Sequence, residues 1–291
     1  MKIPTFWARQ TVDGMVAYGW SFNSQEEAEE NARAHAREIA TRYVAGTLAD
    51  RGKMYYANRP VREPIMREFR DAKGDVDAIL TRNVYGALVL NTAKALFVDV
   101  DFPAPPKPPI LDVGTWVNRL KSLFAPKSMI PRMPESQPLD PVHSILTRAT
   151  EWQISHPGWH WRIYRTKAGI RLLATHALFE PGSKPVDEVF AAMGADPLYR
   201  KLCSSQQCFR ARLTPKPWRC GYIAPGIRWP FAGAAQEATY AEWENGYLEK
   251  CKEWATCDLL QAGSDEIHPE LSELVKFHDA ASRVGSNLPL A

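Results

Sequence analysis

The chain has 291 residues, 45% of them hydrophobic and 24% charged, with 10 Trp, 10 Tyr and 11 Phe. At roughly 150 residues per domain this is one large domain or two modest ones with apolar material for a real core, which excludes a mainly disordered or fibrous chain. Thirty-six Lys plus Arg against 33 Asp plus Glu leave a formal charge of +3, which excludes a histone-like polycation but not a local basic surface that meets phosphates.

Met1-Lys2-Ile3-Pro4-Thr5 lacks the apolar run of a signal peptide, and the most apolar stretch, Tyr85 to Phe102, is broken by Asn91, Lys94, Asp99 and Asp101. A cytoplasmic location without membrane insertion is therefore expected. Five cysteines, an odd number at low density, fit a reducing compartment. The spacing of Cys203, Cys208 and Cys220 leaves a zinc knuckle open without supplying the Cys-x2-Cys pairs that define one.

In chain order, Thr5 to Arg9 and Met15 to Trp20, joined by Asp13-Gly14, predict an opening hairpin. Ser24, three residues before Glu27, caps a helix expected over 25–44, with Ala28, Ala32, Ala36, Ile39 and Tyr43 at helical intervals. A polar loop with Pro60 and Pro64 follows, then apolar strands over 77–81, 85–90 and 95–102. Five prolines between Pro103 and Pro109 end the last of these. Trp116, Leu120 and Phe124 mark a short helix, and 125–141 an excursion rich in Pro and Met. A helix over about 140–154 leads to a hairpin, Trp159 to Tyr164 against Ile170 to Thr175. Helices near 185–202, a strand near 207–213, and helices near 236–256 and 269–283 complete the chain.

The element that points to chemistry is Leu96-Phe97-Val98-Asp99-Val100-Asp101-Phe102. Strand alternation puts Asp99 and Asp101 on one face at the strand's exit, about 7 Å apart by the rise per residue. Two hard oxygen ligands so placed suit Mg²⁺ or Mn²⁺, which bridge nucleotide phosphates; a solvated pair at a strand end is the plainer alternative. Haloacid-dehalogenase phosphatases need Thr where this chain has Pro103, whereas sugar-nucleotide glycosyltransferases also place an Asp-x-Asp at a strand end and stay in competition. Downstream, Arg165, Thr166, Lys167, Gly169 and Arg171 crowd a hairpin tip fit to hold a phosphate chain. Asp196 precedes a strand on which Arg210 and Arg212 share a face, with Lys216 beyond its end, a set suited to a third carboxylate and to nucleic-acid phosphates. His156, His160, His268 and His278 lack metal-type pairing, and Trp7, Trp20, Trp152, Trp159, Trp161, Trp218 and Trp229 read as core.

This order of features resembles the archaeo-eukaryotic primase superfamily, including the primase-polymerases, over roughly residues 75–220. Asp99 and Asp101 match its first motif. Thr166, Gly169 and Arg171 match the second, with Arg where the family has the His that contacts the incoming triphosphate; His176, five residues on, is unaligned with it. Asp196, Tyr199, Phe209, Arg210 and Lys216 match the third loosely. The resemblance implies a metal-dependent nucleotidyltransferase acting on nucleoside triphosphates and nucleic acid, with Asp99, Asp101 and Asp196 catalytic and Asp99 and Asp101 holding Mg²⁺ or Mn²⁺. A degenerate relative that binds nucleic acid or a protein partner is the alternative. The expected architecture is α+β, a mixed or antiparallel sheet core resembling the primase catalytic core over 1–234, covered by a helical C-terminal portion, 235–291.

Overall fold

The structure, a computed structural model, describes residues 1–47, 60–103, 140–264 and 266–291. The helix expected at Trp116 to Phe124 and the excursion after it lie, but for their last two residues, outside the described residues. β1 (Phe6–Val12) and β2 (Met15–Ser21) form the opening hairpin. Its turn residues Asp13 and Gly14 both have positive φ, 49° and 74°, the backbone that matches the twist of paired strands. The Ser24 side chain accepts from the Glu27 N–H and starts α1 (Gln25–Val44), a cap of the kind that contributes about 1 kcal/mol. Ala28 and Ala32 lie directly over Gly19 of β2, where a Cβ would run into the helix backbone.

Two four-stranded sheets make up the rest of the frame, and every pairing between their strands is antiparallel. The first has the order β3 (Ile65–Arg70), β4 (Val76–Arg82), β5 (Leu88–Thr92), β9 (Phe209–Arg212). The second has the order β10 (Cys257–Gln261), β7 (Trp161–Thr166), β8 (Gly169–Ala174), β6 (Phe97–Asp101). One hydrophobic core joins them, with Leu80, Leu90, Phe209 and Ala211 from the first sheet and Phe97, Trp161, Ile163 and Leu172 from the second. α2 (Pro141–Ser155) and α3 (Lys184–Met193) add Ile145, Ala149, Val186, Val189 and Phe190 to it. The architecture is thus α+β with antiparallel sheets. No described helix is long and apolar enough to cross a membrane.

The helices expected near 185–202 are α3 and α4 (Pro197–Gln206), divided where Gly194 ends α3 with φ 71° and Asp196-Pro197 starts α4 as cap and first turn. Two differences from the sequence reading have local causes. β3 was hidden in the polar loop, since an edge strand buries little of its surface. The C-terminal portion is not all helical: between α5 (Ala234–Cys251) and α6 (Pro269–Ser282), β10 joins β7, so this segment completes the sheet that carries Asp99. Trp243, Tyr247 and Cys251 of α5, with Trp254 just beyond it, pack with Cys220 and Tyr222.

Candidate functional site

β6 and β9 are edge strands of different sheets, and α4 stitches them together. The Tyr199 hydroxyl lies 3.0 Å from the Phe97 carbonyl on β6 and 3.1 Å from the Arg210 carbonyl on β9, while the Asp196 N–H donates to the Asp99 carbonyl at 3.3 Å. The hydroxyl's single proton serves one of the two edge carbonyls at a time, and the Asp196 N–H serves that of Asp99. The Asp196 carboxylate accepts from the Tyr199 N–H at 2.8 Å as helix cap. One backbone hydrogen bond therefore sets the third carboxylate beside the first two.

Where the two edges part, a cavity of about 230 Å³ opens. Asp99, Asp101 and Asp196 line it, as do Thr166, Arg171, Tyr199, Arg212, Lys216 and Arg219. Burial raises the Asp101 carboxyl above its ordinary value, and the charges of Asp99 and Asp196 add to that. In the same cavity, burial lowers Arg212 to about 10, helped by Arg171 and Arg219, and lowers Lys216, helped by Arg212 and Arg219. Carboxylates crowd carboxylates and cations crowd cations within one cavity. A pocket of this kind is relieved by a ligand that brings both signs of charge.

The fit to a divalent cation follows from which oxygens are occupied. Arg171 binds Asp99 through both oxygens, Nε to Oδ1 at 2.7 Å and Nη2 to Oδ2 at 2.9 Å. Arg171 is fully buried, and Asp99 outweighs the burial to hold its guanidinium charge above the usual range. Asp196 commits Oδ1 to its helix, and no partner contacts the Asp101 carboxylate among the described residues. Each carboxylate oxygen accepts twice, so Asp101, one oxygen of Asp196 and the outer lone pairs of Asp99 retain acceptor capacity toward the cavity. Among the described residues no ready-made group of three ligands is assembled around one point.

Other expected site residues have other uses. Arg210 shares the outer face of β9 with Arg212, yet its guanidinium donates to both oxygens of Glu63 at 2.7 and 2.8 Å and is buried there, away from the cavity. Arg165 donates to the carbonyls of Thr166 and Gly169, both at 3.0 Å, and lies 4.2 Å over the Phe102 ring, while Lys167 is exposed at the tip. Gly169 is needed for packing: a Cβ there would meet the Val100 carbonyl oxygen of β6. His176 faces His160, Trp159 and Phe179 rather than the cavity.

Cys203, Cys208 and Cys220, whose spacing left a zinc knuckle open, form no metal-holding group among the described residues. The three are buried free thiols in three separate hydrophobic clusters. Burial raises all three, Cys208 to about 11.

Sequence reasoning missed Arg219, whose only signal is its place three residues beyond Lys216 in the turn Pro217–Arg219. It also missed how His278 backs the site. Arg171 Nη1 lies 3.3 Å from His278 Nε2, and His278 Nδ1 lies 3.0 Å from Asp279. Arginine only donates, so Nε2 accepts and the ring proton sits on Nδ1, facing the carboxylate. Asp279 in turn accepts from Arg162 and from the Tyr164 hydroxyl, both at 2.6 Å. A lone histidine on a helix carries no sequence signal for such a relay.

No protein-family model matches the chain, and neither a curated protein nor a solved structure does.

Proposed function

We propose that the chain is a divalent-metal-dependent nucleotidyltransferase of the primase-polymerase type, binding a nucleoside triphosphate in the cavity between β6 and β9. The observation that carries this reading is the joint presence in one cavity of three carboxylates, Asp99, Asp101 and Asp196, and three cations, Arg212, Lys216 and Arg219. At about 230 Å³ the cavity is smaller than the roughly 300 Å³ where whole drug-sized ligands begin to fit, which suits the phosphate end of a nucleotide with its base outside. Asp101 and Asp196, with the outer face of Asp99, would hold the metal. Bound there, Mg²⁺ or Mn²⁺ supplies neutralisation of phosphate charge and a more acidic attacking hydroxyl. Arg212, Lys216 and Arg219 bind the phosphates, and Thr166 offers a hydroxyl from the hairpin.

A second reading has its own support. Arg171 takes both oxygens of Asp99, as expected of a relative that keeps the fold and binds nucleotide or nucleic acid without turnover. Primer-synthesis and primer-extension assays with Mn²⁺ separate the two. Template-directed synthesis abolished by Asp101→Ala supports the enzyme; metal-dependent triphosphate binding without synthesis supports the binding module; neither binding nor synthesis overturns both.

A further inference from the structure

The segment Thr214-Pro215-Lys216-Pro217-Trp218-Arg219 is built to hold one shape. Two prolines bracket Lys216, whose backbone is extended at φ −68° and ψ 134°, the conformation a following proline imposes. The Arg219 and Tyr222 N–H groups close the turn onto the carbonyls of Lys216 and Pro217 at 2.8 and 2.9 Å. Beneath it, the Tyr247 hydroxyl of α5 lies 2.5 Å from the Pro215 carbonyl and 2.9 Å from the Thr214 hydroxyl. Lys216 and Arg219 line the cavity from this turn.

The residue between them does the opposite. Trp218, expected in the core, is 52% exposed, and Tyr85 from the turn between β4 and β5 is 43% exposed beside it. Their rings meet edge to face, 5.1 Å apart at 89°, and the Lys216 ammonium lies 5.7 Å from the Trp218 ring. About half of Trp218 faces solvent beside a cluster of cations, surface that folding does not use. The pairing of a flat aromatic surface with phosphate-binding cations is what strand-binding grooves use. An apolar protein partner would match the rings but leave the neighbouring cations unanswered.

We propose that Trp218, supported by Tyr85, is a stacking platform for a base of single-stranded nucleic acid whose phosphates contact Lys216 and Arg219. The ligand class rests on the reading of the cavity given above; the platform itself rests on the exposed ring pair and its fixed turn. The strand would run past the mouth of the cavity, with stacking and phosphate contact supplied by one turn.

The test uses fluorescence anisotropy with a labelled thymidine oligonucleotide and an abasic oligonucleotide of the same length and charge, without metal or triphosphate. The wild type is expected to prefer the base-bearing strand by roughly tenfold, the worth of one stacked base. Trp218→Ala should erase that preference, and Trp218→Phe should keep part of it. Because the ring is exposed, thermal melting checks that both variants remain folded. Equal affinity of the wild type for the two strands, an unchanged preference in Trp218→Ala, or no strand binding at all would each overturn the platform. Uridine against thymidine strands distinguishes RNA from DNA as the source. Manganese-dependent triphosphate binding by the wild type, titrated separately, judges the cavity, so failure of one reading is distinct from failure of the other.

Discussion

Arg171 and Asp99 sit directly opposite each other on β8 and β6, and their side chains close a two-point ion pair with the arginine 3% and the aspartate 34% exposed. The arginine is the partner with more to lose, since it is also bonded to the Arg212 carbonyl at 3.0 Å and to His278. Breaking a buried pair leaves the other charge uncompensated, and Arg171→Ala is expected to cost about 3 kcal/mol, the lower end of the usual range because Asp99 is partly solvated. Arg171→Lys keeps the charge without the fork and should fall between. Urea unfolding at neutral pH measures both; a loss well under 1 kcal/mol in Arg171→Ala would mean that the pair is not formed in solution.

Asp101 gives a prediction of opposite sign. Its carboxyl is raised in the folded chain by burial and by Asp99 and Asp196, so the folded state holds the proton to higher pH than the unfolded state does. Its charge therefore destabilises the fold as pH rises through and above the ordinary carboxylate range near 3.9, roughly. At neutral pH Asp101→Asn should melt about 1–2 °C higher than the wild type, with the gain shrinking as pH falls toward 4. Added Mn²⁺ should raise the wild-type melting temperature and leave Asp101→Asn nearly unmoved. Equal metal responses in the two proteins would remove Asp101 from the cation site.

The arginines of β9 separate a structural role from a binding one. Arg210→Ala should cost about 3–5 kcal/mol by stranding the buried Glu63 carboxylate, with no change in the salt dependence of oligonucleotide binding. Arg212→Ala should weaken Mn²⁺-dependent triphosphate binding, whereas Lys216→Ala and Arg219→Ala should each lower the slope of log oligonucleotide affinity against log salt by about 0.7, one released counterion on a single strand. A slope that responds to Arg210 and not to Lys216 and Arg219 would invert the assignment.

The sequence carried local signals faithfully and long-range ones poorly. The hairpin at Asp13-Gly14, the Ser24 cap and the same-side aspartates of β6 are written in spacings of two to four residues, and all three are found. Alternation also put Arg210 and Arg212 on one face, but their fates differ because Glu63 arrives from 147 residues away, which no local period encodes. The same holds for Asp99 and Arg171, 72 residues apart, which local spacing read separately as a metal ligand and a phosphate-binding cation. Trp218 was assigned to the core by residue type; a rigid turn bracketed by prolines holds it outside. β10 went unread because five residues between two helices show too little period to stand out.

His278 ties the C-terminal helix to the carboxylate site and makes stability sensitive to mild acid. Its ring is wholly buried among Phe97, Tyr164, Arg171 and Asp279, and burial lowers its affinity for a proton, with the Arg171 charge opposing protonation further and Asp279 favouring it. Above about pH 6.5 the imidazole is neutral in both states and its bonds to Arg171 and Asp279 are intact. As pH falls below that value the unfolded chain takes up the proton and the folded chain resists it, so stability declines by up to about 1.4 kcal/mol per pH unit from this residue. His176, also lowered by burial, contributes in the same window, whereas Asp279, held below the ordinary carboxylate range despite burial by His278, Tyr164 and Arg162, acts at lower pH. His278→Gln retains an acceptor for Arg171 but does not titrate, and its urea midpoint between pH 7 and pH 5 should therefore fall less than that of the wild type. His176→Gln alone should leave the larger part of the decline in place. If His278→Gln loses stability with acid as steeply as the wild type, the acid sensitivity does not come from the buried imidazole.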